Sequence, residues 1–147
     1  MRNATQIFLL MVATLAAYGR EVETLEQLKA RVDAARGDEK IKICLEIAEQ
    51  QVEAANKNFN DGNVEAAHAA VDEVAVYAEK ARDAAIASGR RLKDCEISAR
   101  KMSRRLSDIK RTVAFEDQPV IEKAVRRLED VRTDLLAQMF SKDKKKK

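Results

Sequence analysis

The chain has 147 residues, of which 46% are apolar, 36% charged and only 4% aromatic, with 4 Gly, 1 Pro, 1 His and no Trp. That is length for one domain and a composition for long helices or coiled coil, with a core built largely of Ala. One histidine and a few scattered glycines exclude Cys/His metal sites and glycine-rich phosphate loops, and the net charge of +3 gives no strong overall field.

The N-terminus reads as a secretory signal. Arg2 supplies the positive start, and Ile7 to Ala17 (IFLLMVATLAA) is uninterrupted apolar or small. Ala17-Tyr18-Gly19 places small residues for cleavage before Arg20. The stretch is shorter than the about 20 apolar residues of a bilayer span. An uncleaved anchor or a buried N-terminal helix is the alternative. No Cys follows the stretch to accept a lipoprotein anchor. The expected organisation is a signal at 1–19, one helical domain at 20–141 and a disordered Lys-rich tail at 142–147. The expected location is exported, in a bacterial periplasm or the extracellular space.

Within the domain, Thr24-Leu25-Glu26-Gln27 fits a capping box opening a helix over about 24–36. Gly37 stops it and Asp38 can cap a second helix over about 38–59, whose Ile41, Leu45, Ala48, Val52, Ala55 and Phe59 keep 4-3 spacing. Asn60-Asp61-Gly62-Asn63 is a tight turn with Asn63 as N-cap. A heptad then runs from Val64 without slipping. Its a positions are Val64, Val71, Ala78, Ala85, Leu92, Ala99, Leu106 and Val113; its d positions are Ala67, Val74, Ala81, Ser88, Cys95, Met102 and Ile109. The unbroken frame predicts one central helix over about 63–114, about 75 Å long. Ser88-Gly89 is its weak point, since the chain could turn back there, but the phase continues and no Pro, Asn or Asp accompanies the glycine. Pro119 suits the first turn of a last helix over about 119–140. The fold class is all-α, an elongated set of antiparallel hairpins around the central helix. Its second half would then lack cover, which makes Leu92, Cys95, Ala99, Met102, Leu106, Ile109 and Val113 a candidate interface for self-association or a partner helix.

Charge divides along the chain. Residues 20–89 hold nine Lys/Arg and fifteen Asp/Glu; residues 90–147 hold eighteen and ten. Arg90, Arg91, Lys93, Arg100, Lys101, Arg104, Arg105, Lys110 and Arg111 crowd one stretch, with Arg126, Arg127 and Arg132 on the helix expected beside it. One reading is a solvated face laced with i,i+4 pairs such as Arg104–Asp108. A second is a footprint for anionic lipid head groups, an acidic envelope polymer or an acidic partner. A third is head-to-tail contact between copies. Nucleic acid is not expected, because no aromatics interleave with the cations and no zinc or helix-turn-helix signature is present.

Catalytic chemistry is not legible. Glu65-Ala66-Ala67-His68 matches half of a di-iron bundle motif, but no second histidine exists within the chain to complete it; only a symmetric dimer could supply one, and His68 reads as an ordinary helix-surface residue. No enzyme activity and no cofactor are expected. Cys44 and Cys95 would pair naturally in an oxidising compartment, yet a continuous central helix sets them about 25 Å apart, so no bond within one chain is expected and Cys95, at its d position, is read as a buried thiol or a bridge between two copies. A chain turned back at Gly89 would bring them nearly level.

The stretch Leu45 to Ala81, with Phe59, Gly62, Ala66 and Ala67 around its turn, resembles the Ala-rich helical hairpins of tetratricopeptide-like and related exported bacterial proteins. The resemblance covers one hairpin and implies a protein-interaction module without an active site. Together these features lead to an exported, non-enzymatic, structural or adaptor protein, with peripheral binding of anionic surfaces through the basic half as the second reading.

Overall fold

The computed structural model describes residues 23–144, with nothing assigned to the side chains of 142–144; the expected signal and its cleavage point lie outside the described residues. The chain folds as α1 (Leu25–Val32), α2 (Gly37–Asn60), α3 (Val64–Ser88), α4 (Leu92–Lys110), a 3-10 turn at Phe115–Asp117 and α5 (Gln118–Lys144). The fold is all-α. Successive long helices are antiparallel, so α2 runs parallel to α4 and α3 parallel to α5. The most extensive packing is α2 on α3, then α4 on α5 and α3 on α5, with α2 and α4 touching more lightly.

The single 63–114 helix does not form; the chain reverses at Gly89. Gly89 takes left-handed φ +68, which costs a glycine nothing and closes α3. The Ser88 hydroxyl donates to the Ala84 carbonyl at 2.8 Å and accepts from the Arg90 amide at 3.3 Å, tying the last turn of α3 to the loop that follows. Arg91 is also left-handed, at φ +54, a strain of about 1 kcal/mol for a residue with a Cβ. Burial of Leu92 directly after it, at 7% exposure, helps hold that conformation. The heptad could not reveal this reversal. Each helix owns its apolar repeat, and α4 begins with Leu92 in the frame that α3 leaves.

Reversal also supplies the missing cover. Leu106, Ile121, Leu128 and Leu135 are wholly buried, and the core runs continuously from Leu28 in α1 to Leu135 in α5. The molecule is a four-helix bundle with α1 laid on α2, not an elongated assembly around one rod.

Several boundaries differ in smaller ways. The Thr24–Gln27 capping box forms, but α1 ends at Val32, not near residue 36. Arg36 stands at the N-cap of α2 in place of Asp38, and its guanidinium donates to the Asp33 and Ala35 carbonyls at 2.8 and 2.9 Å. Gly62 makes the α2–α3 turn at φ +76, while Asn63 precedes α3 without a side-chain cap bond. Pro119 sits in the first turn of α5. That helix continues to Lys144, so residues 142–144 are helical where an unstructured tail was expected. Among the described residues, no helix is long and apolar enough to cross a membrane.

Candidate functional site

The apolar stripe expected at an interface is instead the chain's own core. Leu92, Cys95, Ala99, Met102, Leu106 and Ile109 are 0–7% exposed, and Val113 is half-buried against them. Helix α5 covers much of this stripe with Ile121, Ala124, Leu128 and Val131, so the shortage of cover that pointed to self-association does not exist.

The basic residues divide into two groups. The first neutralises acidic residues across helix seams. Arg127 of α5 grips Glu79 of α3 through two nitrogens at 2.8 Å each and Asp72 at 2.8 Å. The fork on Glu79 holds that carboxyl below its usual range, and the same bonds raise the guanidinium pKa further. Arg82 reaches Asp134 at 3.0 Å, Arg105 reaches Glu53 at 3.4 Å and Arg90 lies 3.7 Å from Asp38. Between α4 and α5, Glu96 is 8% exposed and accepts from Arg132 at 3.0 Å, with Arg100 at 3.8 Å. Arg132 also holds Glu129 at 2.7 Å, and Glu129 accepts from the Ser103 hydroxyl at 2.7 Å. The acidic and basic halves of the sequence thus meet inside one molecule, which removes the charge argument for head-to-tail contact between copies.

The second group faces solvent. Lys93, Lys101 and Arg104 are exposed and, among the described residues, have no carboxylate partner. The expected Arg104–Asp108 pair is absent, because Asp108 lies 3.5 Å from Arg111 instead. Lys93, Arg100 and Arg104 recur at 7-4 spacing, which places them along one face of α4 with Lys101 beside it, and Arg111 follows at the helix C-cap. Arg91 and Lys110 lie outside this unpaired set, held by Asp94 at 3.0 Å and Glu122 at 3.5 Å. Next to the face, Lys101 and Arg105 share an α2–α4 groove of about 350 Å³ with Glu49, Val52, Glu53 and Met102.

His68 faces the 3-10 turn. Its Nε2 lies 2.8 Å from Asp117 Oδ1, and its ring stands edge-on to Phe59 at 5.9 Å, tying α3 to the 3-10 turn. Among the described residues, no three His, Cys, Asp or Glu side chains are grouped to hold a metal ion. At the same end of the bundle, Phe59, Val64, Thr112, Val113 and Asp117 line a cleft of about 220 Å³. Phe115, in the loop that carries part of this cleft, is 81% exposed. Sequence pattern missed it, because a lone aromatic outside every helical stripe carries no periodic signal.

The chain matches no protein-family model, no curated protein and no solved structure.

Proposed function

We propose that the chain is a non-enzymatic binding module, exported by residues 1–19, that docks an anionic surface through the outer face of α4. The observation carrying this is the row of solvent-facing cations at Lys93, Lys101 and Arg104, left unpaired while the arginines at helix seams are matched with carboxylates. Acidic lipid head groups or an acidic envelope polymer fit such a row, since each surface cation contributes about 1 kcal/mol toward an anionic membrane. No aromatic stands among these cations to stack bases, which disfavours nucleic acid.

Replacing Lys93, Lys101 and Arg104 together by Gln is expected to weaken binding to acidic vesicles roughly a hundredfold at low salt. The folded state should be unaffected, because among the described residues no carboxylate depends on these three for pairing. Wild-type binding should also fall steeply as salt rises. Vesicle sedimentation reads both effects; wild-type affinity that is indifferent to salt or to this triple change contradicts the proposal.

The second reading, a protein-interaction module, rests on the exposed Phe115 beside the loop-end cleft. The resemblance of the sequence from Leu45 to Ala81 to tetratricopeptide-like hairpins supports the same class of role.

A further inference from the structure

Cys44 and Cys95 are both unbridged and both buried, at 0% and 1% exposure. The helix register brings them level. Along the parallel pair α2 and α4, Asp38 meets Arg90, Glu49 meets Ser98 and Glu53 meets Arg105, at 3.7, 3.1 and 3.4 Å. Those partners are 52, 49 and 52 positions apart, and Cys44 and Cys95, 51 apart, fall inside the series.

Helix α3 gives an independent fix. Gln51 donates to Glu73, which sets the antiparallel register of α2 and α3 and puts Cys44 beside residues 80 and 81. From the other side, the Cys95 thiol lies 4.0 Å from the Ala81 carbonyl oxygen, within reach for a weak S–H bond. Two helices therefore place both sulfurs in one layer of the bundle. Their neighbours in sequence and space are small: Ala48, Ala78, Ala81 and Ala99 are all buried, and small residues let helix axes approach closely. The electrostatics agree with this placement. Lys80 is among the charges acting on Cys44, and Cys44 is among those acting on Cys95, whose pKa burial raises to about 11.

We propose that Cys44 and Cys95 form a disulfide site within one chain, a covalent strap from α2 to α4, closed by thiol–disulfide exchange with a small disulfide such as oxidised glutathione. One thiol gives its proton to solvent base, and the thiolate attacks the oxidant, forming a mixed disulfide and releasing one glutathione thiolate. The second cysteine, deprotonated in turn, attacks the protein sulfur of that mixed disulfide and releases the second glutathione. The two protein thiols lose two protons and two electrons, and one oxidised glutathione becomes two reduced ones. Burial and the raised pKa of Cys95 make closure slow in the folded protein, so the strap forms on opening or during folding. The proposal is independent of the anionic-surface reading, which the triple Gln change tests without touching either cysteine.

The test is the equilibrium constant for bridge formation in glutathione redox buffer, measured on the full chain folded and again unfolded in urea. Acid quenching, mass spectrometry and peptide mapping read the Cys44–Cys95 link. A site built by the fold should favour the bridge roughly a hundredfold more in the folded chain than in the unfolded one, because folding and bridging then assist each other. An equal or smaller constant in the folded chain would overturn the proposal. So would oxidation that yields only glutathione adducts or disulfide-linked dimers.

Discussion

Replacing Leu106 by Ala is expected to lower the stability of the monomer by about 3 kcal/mol, read from the urea midpoint at an unchanged slope. Leu106 is fully buried in α4, inside the continuous core shared with α5. Truncation therefore removes buried methyl and methylene groups and leaves a cavity that rigid neighbouring helices cannot fully close. An interface residue would behave differently. Its truncation would change the association state with protein concentration while barely moving the monomer's stability. Sedimentation velocity on the same variant separates the two outcomes.

Glu96→Ala carries the second large effect. Glu96 is the most buried carboxylate among the described residues, with side-chain exposure of 11% and Arg132 3.0 Å away. Removing it leaves the Arg132 and Arg100 guanidiniums facing a partly buried gap, at a cost of about 3 kcal/mol. Glu129 stays within reach of Arg132 and offsets part of the loss. Replacing Glu96 and Arg132 together by Leu should recover most of the stability, since the two charges that lose a partner, Arg100 and Glu129, are 41% and 47% exposed and stay solvated. Thermal unfolding of the single and double variants checks this. A double variant less stable than Glu96→Ala would mean that the charge network itself, rather than its completeness, holds α4 to α5.

How far the sequence revealed this molecule follows from what each pattern measures. Apolar spacing marks which residues face a core, and Ile41, Val71, Leu106 and Leu128 are all buried as their spacing requires. It does not mark where a helix stops when the next helix resumes in the same frame, as Leu92 does after Gly89. The decisive signal was Gly89's capacity for positive φ with Ser88 able to cap the carbonyls before it, two local properties that a periodicity count does not weigh. That one misplaced boundary explains the misread interface, because an α4 drawn as the far half of a rod has nothing to cover it.

The charge asymmetry was legible, whereas its internal pairing was not. Arg127 and Glu79 are 48 positions apart, and only the packed bundle brings them together. What survives from the basic stretch is the smaller set of Lys93, Lys101 and Arg104. The exposed Phe115 and the level placement of Cys44 with Cys95 are likewise products of tertiary register, which no local pattern encodes.

The reversal at Gly89 underlies all of these conclusions, and a single distance tests it. Glu65 opens α3 and Arg111 follows α4, both exposed; Val64 and Thr112 beside them line the same loop-end cleft. With Cys44 and Cys95 replaced by Ala, spin labels at positions 65 and 111 should lie within about 30 Å by pulsed electron resonance, the span of adjacent helices plus label arms. A continuous helix would hold the same positions about 70 Å apart. A distribution centred at the longer distance would contradict the bundle.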